Sequence, residues 1–531
     1  MLHKHIDAES FMDATRREER RGSVRGNPGV HSMAYGSRYA TAEIPKYHLP
    51  EKSSSSQVAY QLVHDELEMD GRPAMNLASF VHTWMEPEAD RLIMENINKN
   101  LSDQDEYPAT MRIHSWCVSI LANLWKAPTQ GNKSVGTATA GSSEAVMLGG
   151  LAMKKMWQAK RKREGKDASK PNIVFGNNAQ VALEKFARYF DVEARLVPVT
   201  ASSRYCLDVK RAITLVDENT IGVYLILGST YTGHFEDVEG MAKELDRLQE
   251  ERGLDVPIHV DAASGGFVAP FAFPDYKWSF EIPRVVSINS SGHKFGLTYA
   301  GIGWILWRSE SHLPKELIFE LHYLGGTEQT YTLNFSRPAC FMIAQYYNFV
   351  RLGAEGYRSI MENDLLNARL LSHALEKSGY YDVLSDVHRP KGVTFAGKNE
   401  QGKKPKGDGK AADYNASLPV VTFRLNEEFR KENPHVKQAA VSGLLRTRGW
   451  IVPNYNLPPD CAETDILRVV VRESMSEDLI DRLASDIFWV TETLMNSESI
   501  DSAIFSQTAG SLPESKLQEE SVKTNTYARQ C

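Results

Sequence analysis

Between Val135 and about Gly353 short apolar runs alternate with segments of helical period, and nothing else in the chain narrows the fold as far. Candidate strands are Ile173–Phe175, Leu196–Val199, Gly222–Leu227, Ile258–Val260, Val285–Ile288 and Gly303–Trp307; helical periods cover Glu144–Arg163, Val181–Phe190 and Val238–Arg252. Such alternation predicts an α/β domain around a mainly parallel sheet. Ligands of these sheets bind beyond the carboxyl ends of the strands. Thr230, Asp261 and Lys294 each fall just after a candidate strand.

The 531 residues allow more than one domain. Residues 1–75 read as an N-terminal arm with helices, 76–354 as the large domain, 355–498 as a smaller C-terminal α+β domain and 499–531 as a Ser- and Glu-rich tail expected to be disordered. In the smaller domain the pattern predicts a helix over Tyr357–Lys377 and strands near Val420–Arg424 and Leu467–Val471, interrupted by a Lys/Gly-biased, solvated loop at Lys391–Ala411.

With net charge −7 and no clustered basic excess, no nucleic-acid partner is expected. No apolar run approaches the ~18 residues that span a membrane, and charges occupy the N-terminal stretch where a signal peptide needs an apolar core. Cys117, Cys206, Cys340, Cys461 and Cys531 are scattered and form no CxxC pair. They suit a reducing compartment, without a metal site, so a cytoplasmic location is expected. Cys531 is the last residue and SKL at Ser515–Leu517 is internal, so neither reads as a lipidation or peroxisomal signal.

Three segments carry chemistry. In Ser287–Gly296, SINSSGHKFG, a strand ends near Ile288 and Asn289–Gly292 break the pattern, which places Lys294 on a loop. A solvated lysine is the ordinary reading. Here Ser290, Ser291 and His293 can bind an anion, and apolar flanks favour a nucleophilic amine for Schiff-base chemistry. In Gly141–Ala145, GSSEA, Ser142 and Ser143 open a helix whose free N–H groups suit a phosphate; plain N-capping is the competing reading. Gly131–Ser134 lacks the pattern of an ATP P-loop. In Ile258–Phe267, IHVDAASGGF, Asp261 is either a turn former or the partner of a protonated ring nitrogen, with Ala263 leaving room for a flat ring. A phosphate-binding Ser pair, a strand-end Asp and a His-Lys pair suit a pyridoxal 5'-phosphate enzyme better than a metal, P-loop or triad site.

Asn76–Met94 (NLASFVHTWMEPEADRLIM), Ile97–Asn100 (INKN), GSSEA, Lys185–Tyr189 (KFARY), Tyr231–Gly233 (YTG), VDAASGGF, SGHKFG and Asn334–Pro338 (NFSRP) together closely resemble the glutamate decarboxylase family, in its plant- or fungus-like branch, over roughly residues 35–495. The resemblance implies a fold type I, aspartate-aminotransferase-like homodimer or dimer-based higher oligomer such as a hexamer, with a mainly parallel sheet of seven strands, converting L-glutamate to 4-aminobutyrate and CO2. By motif, Lys294 is similar to the Schiff-base lysine, Asp261 to the ring-nitrogen partner and Gln180 to the residue packed on the ring face. Ser142, Ser143, Ser291 and His293 resemble phosphate ligands, and Ser336 one that reaches the phosphate from the other subunit. Thr230 resembles the threonine near the cofactor oxygen and substrate carboxylate.

For substrate, Arg468 in DILRVVVR resembles the arginine that grips the α-carboxylate. An Arg inside an apolar strand is costly unless paired, which points the same way, and Arg472 competes because it shares the strand face. The distal carboxylate would meet Ser79, the Phe80 backbone, Asn100 and Asp103, the last two from the partner subunit. Asp103 beside a carboxylate implies a shared proton and binding favoured at mildly acidic pH. Tyr323, on a Gly-containing loop resembling a mobile lid, competes with Lys294 as proton donor to Cα. The tail holds Lys516, Lys523 and Arg529 against several acids and no Trp, so calmodulin binding is not expected; no His follows His435, so a C-terminal His gate is not expected either. The rival readings are a decarboxylase of aromatic or sulfur amino acids and a non-catalytic scaffold.

Overall fold

Strand β4, Thr220–Ile226, shows how the chain is layered. All seven residues are buried, because Val223 and Leu225 enter one core while Tyr224 and Ile226 enter another. A strand covered on both faces reads as a continuous apolar run. The computed structural model describes residues 45–128, 134–321, 328–397 and 409–497. It separates a unit over Met1–Arg72, within which helix α1 (Ser56–Leu67) is capped by Ser55, from a unit over Pro73–Cys531.

In the second unit, α2 (Pro87–Glu95) and α3 (Pro108–Leu124) precede β1 (Val135–Thr139), α4 (Ser142–Arg163), β2 (Asn172–Gly176), α5 (Val181–Tyr189) and β3 (Glu193–Val197). After β4 come α6 (Val238–Arg252), β5 (Ile258–Asp261), β6 (Val285–Ser291) and β7 (Gly303–Trp307). The seven strands form one sheet in the order β1-β7-β6-β5-β4-β2-β3. Pairing is parallel from β3 through β6, and β7 and β1 close one edge antiparallel, so the expected mainly parallel sheet is present.

Helix α6 buries Val238, Met241, Ala242, Leu245 and Leu248 at helical spacing. Asp237 caps its start by accepting from Gly240 N at 2.8 Å, and Gly253 ends it at φ 69°.

Two sequence expectations need correction here. Strand β1 was not among the predicted strands, because VGTAT is short and poor in large apolar residues. The segment Asn289–Ser291, expected to break the pattern, continues β6 and pairs with β7 up to Ser291↔Gly303. Asn289 is paired with Asp261 and His259, and Ser291 with Ser142, so polarity misled the period.

Beyond the short pair β8 (Phe319–Leu321) and β9 (Glu328–Thr330), helix α7 spans Cys340–Lys377 and is interrupted at Gly353, whose φ of 56° and ψ of −170° are not helical. Before the break Asn348 Nδ2 donates to Leu297 O at 2.6 Å; after it Asn367 Nδ2 donates to Met475 O at 2.7 Å. The antiparallel sheet of β10 (Tyr381–Val383), β11 (Val420–Leu425), β12 (Asn454–Asn456) and β13 (Asp465–Val470) runs in the order β10-β11-β13-β12, packed with α8 (Gln438–Thr447) and α9 (Glu477–Met495). Strand β13 ends before Arg472, which therefore does not continue the face that carries Arg468.

Candidate active site

Beyond the carboxyl ends of β4, β5 and β6 lies a cavity of about 750 Å3. Its construction starts at the junction of β5, β6 and the start of α4. Asp261 is the last residue of β5 and 5 % exposed. Its Oδ1 accepts from Ala263 N at 3.1 Å and from Asn289 Nδ2 at 2.8 Å, while the Ala263 carbonyl accepts from Ser291 N at 3.0 Å. The two strand ends are thereby locked together, and Lys294 follows on a turn closed by Lys294 N to Ser291 O at 3.3 Å.

Lys294 Nζ reaches Ser264 Oγ at 3.4 Å and lies 5.4 Å from the centre of the Phe80 ring. Asp261, Ala263 and Lys294 all line the cavity. Ser264 is an addition that the sequence reading missed although it stands in the VDAASGGF motif.

The start of α4 decides between capping and anion binding. Its N-cap is Gly141, with no side-chain cap hydrogen bond, so neither serine caps the helix. Ser142 Oγ instead accepts from Ser291 Oγ at 2.8 Å, and Ser142, Ser143, Ser291 and His293 share one wall of the cavity. A Cβ built on Gly141 would meet only His293 Cε1, at 3.3 Å, and would fill the space in front of the helix start. His293 Nδ1 is buried without a hydrogen-bond partner among the described residues. Burial, reinforced by the positive Lys294 beside it, pushes the imidazole down to about 4, so the ring is neutral. A neutral ring with an unused nitrogen, two serines and free helix N–H groups fit the phosphate of a pyridoxal group. The carboxylate of Asp261 fits its ring nitrogen, and the small Ala263 and the flat amide of Gln180 line the same cavity.

Gln180 lines the same cavity and caps α5, its Oε1 accepting from Ala182 N at 2.7 Å. Glu144, also unforeseen, is buried and binds three groups: Oε2 accepts from Ala140 N at 2.8 Å and Asn334 Nδ2 at 3.1 Å, and Oε1 from Asn334 N at 2.9 Å. It ties the NFSRP segment to the phosphate wall, where Asn334 joins the lining.

Another part of the lining comes from β13 and the loop that begins at Pro73. Arg468 is 5 % exposed. It donates from Nη1 to Thr230 O at 2.6 Å and from Nη2 to Ala78 O, and its guanidinium lies 5.0 Å from the Phe80 ring centre and 5.5 Å from that of Tyr455. Its Nε is buried and unpartnered among the described residues. Arg472 is not in the cavity lining; it donates to Val81 O, to Asn76 O at 3.1 Å and to Pro73 O at 3.3 Å, and so holds the loop that presents Ser79 and Phe80. The Ser79 hydroxyl accepts from Val81 N at 3.1 Å. The same loop is fastened to the lysine segment by His82 N donating to His293 O at 2.9 Å.

Three predicted residues are brought together elsewhere. Asn100 Nδ2 donates to Asp103 Oδ1 at 3.4 Å and to Ser336 Oγ at 3.3 Å, and none of the three lines this cavity. Tyr323, most of the Lys/Gly loop and residues 499–531 lie outside the described residues. No group of His, Cys, Asp and Glu among the described residues is arranged to hold a metal ion.

The profile described as "Pyridoxal-dependent decarboxylase conserved domain" matches residues 49–398. Among curated relatives, a glutamate decarboxylase of Solanum lycopersicum is 47 % identical over 466 residues, covering 88 % of this chain and 86 % of the relative. One of Saccharomyces cerevisiae is 46 % identical over 498 residues, covering 89 % and 83 %. Among solved structures, Lactobacillus brevis glutamate decarboxylase superposes with a TM-score of 0.77 at 37 % identity, covering 88 % of this chain and 98 % of that one. The structure titled "Crystal structure of Oryza sativa TDC with PLP" superposes with a TM-score of 0.65 at 16 % identity, covering 93 % and 100 %, a likeness of fold alone.

Proposed function

The chain belongs to the pyridoxal-dependent decarboxylase family, and from its kinship with glutamate decarboxylases we propose how its residues divide the α-decarboxylation of L-glutamate to 4-aminobutyrate and CO2. It is a pyridoxal-phosphate-dependent carboxy-lyase. One observation carries the assignment of roles: Lys294, Asp261, the Ser142–Ser143 helix start and Arg468 line one cavity from four different segments of the chain.

When bound, pyridoxal phosphate supplies an electron sink for the pair left behind as the bond from Cα to the carboxylate breaks. Lys294 Nζ would hold the group through its amine. Ser142, Ser143, Ser291, His293 and the N–H groups at the start of α4 hold the phosphate, with Asn334 fixed beside them by Glu144. Asp261 Oδ1 already receives two hydrogen bonds, which leaves Oδ2 to accept the ring N–H. Gln180 and Ala263 confine the ring.

Arg468 binds the α-carboxylate. Its two terminal nitrogens are partly committed to carbonyls and its plane is flanked by Phe80 and Tyr455, so it is held in place before substrate arrives. That pre-set position fixes where the α-carboxylate of the substrate would be held. After CO2 leaves, Lys294 Nζ returns a proton to Cα; Tyr323 is the rival donor.

The distal carboxylate meets Ser79 and the Phe80 backbone from this chain, and Asn100 and Asp103 from a partner subunit, whose Ser336 completes the phosphate site. The grouping of Asn100, Asp103 and Ser336 outside their own chain's cavity lining supports a homodimer or a dimer-based higher oligomer as the functional unit. The division of the chain into a large domain up to residue 354 and a small domain from 355 is proposed on the break of α7 at Gly353. A cytoplasmic location is proposed on the four buried free thiols Cys117, Cys206, Cys340 and Cys461.

The test is incubation of the holoenzyme with L-glutamate and identification of the product. Appearance of 4-aminobutyrate supports the reading, whereas turnover of an aromatic amino acid in its place would overturn it.

A further inference from the structure

Four buried polar side chains of β5 and β6 form a single line that ends on Asp261. His259 and Asp261 share one face of β5, Ser287 and Asn289 one face of β6, and the parallel register sets His259 opposite Ser287 and Asp261 opposite Asn289. The contacts run Ser287 Oγ to His259 Nδ1 at 2.7 Å, His259 Nε2 to Asn289 Oδ1 at 2.7 Å, and Asn289 Nδ2 to Asp261 Oδ1 at 2.8 Å. Ser287, His259 and Asn289 are fully buried.

Only one arrangement of protons serves all four groups. The carboxylate can only accept, so Asn289 must turn its NH2 toward Asp261 and its oxygen toward His259. His259 must then carry its proton on Nε2, which leaves Nδ1 to accept from the Ser287 hydroxyl. Burial lowers the imidazole to about 4, with Asn289 and Asp261 opposing, so the ring stays neutral and keeps a single tautomer. The ring itself is clamped: Tyr224 stands edge-on at 4.7 Å, and α4 passes over it at Gly149, where a Cβ would come within 2.6 Å of Cε1 and Nδ1.

We propose that Ser287, His259 and Asn289 are positioning residues that act through Asp261, a directional relay that keeps its carboxylate a pure acceptor and so keeps the proton on the cofactor ring nitrogen. The inference rests on the reading of Asp261 as the ring-nitrogen partner. A buried carboxylate stripped of donors gains affinity for a proton. Without Asn289 the proton would pass from the ring nitrogen to Asp261, and the ring would lose its positive charge and part of its capacity as an electron sink.

The test uses holoenzyme loaded with pyridoxal phosphate labelled with 15N in the ring and reads the ring-nitrogen resonance at neutral pH, beside kcat and KM. Asn289→Ala is expected to move the resonance toward that of unprotonated pyridine and to lower kcat about ten- to a hundredfold, the scale of one hydrogen bond to a charged group, with KM for glutamate little changed. Ser287→Ala, which touches neither Asp261 nor the cavity, should move it the same way by less. His259→Phe combined with Asn289→Ala should move it no further than Asn289→Ala alone, because both act through one amide. Should Asn289→Ala not fold, Ser287→Ala carries the test. A resonance unmoved in Ser287→Ala and Asn289→Ala, or additive shifts in the double variant, would overturn the relay. Asp261→Asn separates the two readings: if it leaves the ring nitrogen protonated, the partner assignment falls, and if it alone moves the resonance, only the relay falls.

Discussion

Arg468 and Arg472 are both buried, four positions apart in sequence, and do different work. Arg468 looks into the cavity between two aromatic rings, while Arg472 spends its hydrogen bonds on three carbonyls of the loop that carries Ser79. Arg468→Lys keeps the charge and loses the planar fork, so kcat/KM for glutamate is expected to fall by about ten- to a hundredfold, checked by steady-state kinetics. Lys294→Ala is expected to abolish turnover and the absorbance band of covalently held cofactor; a persistent band would exclude Lys294 as its anchor. At this scale the sequence spoke clearly for Lys294, Asp261 and the serine pair, because their motifs combine rare residue types at fixed spacing. It was silent on His259, Asn289 and Glu144, since nothing local tells a polar residue that completes a buried network from one that starts a loop.

Strand β7 passes close against the start of α4. A Cβ on Gly303 would stand 2.4 Å from the Gly141 carbonyl carbon and 2.8 Å from Ser142 N. Gly303→Ala must push the helix start aside, at a cost of about 1–3 kcal/mol for an overpacked site. Cofactor affinity, measured by fluorescence titration of the apoenzyme, should weaken by at least an order of magnitude on that scale, more than in a glycine substitution in open space such as Gly165→Asn. The central strands and the long helices were legible because doubly covered strands are continuously apolar and the helices keep their period. Strand β1 and the end of β6 were not, for opposite reasons: one has side chains too small to show a pattern, the other polar side chains of which Asn289 and Ser291 are paired with Asp261 and Ser142.

For the whole molecule, acid is the expected weakness. Burial holds His114, His259 and His293 each at about 4, below the value near 6.5 of an unfolded chain. Between those values the unfolded state binds more protons, so stability falls as pH drops from about 6.5 toward 4, each unit of separation corresponding to about 1.4 kcal/mol per group. Urea midpoints measured across that range should decline steadily, and His114→Gln, far from Lys294 in sequence, should flatten the decline; a midpoint independent of pH would refute the account. A mixture of Lys294→Ala and Asp103→Asn chains, refolded together, should regain activity that neither has alone, because the hybrid dimer holds one centre with both groups intact. The clustering of Asn100, Asp103 and Ser336 could not be read from spacing, as Ser336 lies far along the chain and is brought to Asn100 only by tertiary contact.

The pairing of β5 with β6 has one more consequence. Because successive side chains of a strand point to opposite faces, a slip of a single position between these two strands would turn Ser287 and Asn289 away from His259 and Asp261. A misaligned sheet could still bury much of its apolar surface, yet it would strand a histidine, an amide and a carboxylate in a dry interior. The chain thus proofreads its own assembly with the groups that serve its chemistry: a molecule threaded wrongly is destabilised by the same polar atoms whose correct alignment makes it competent.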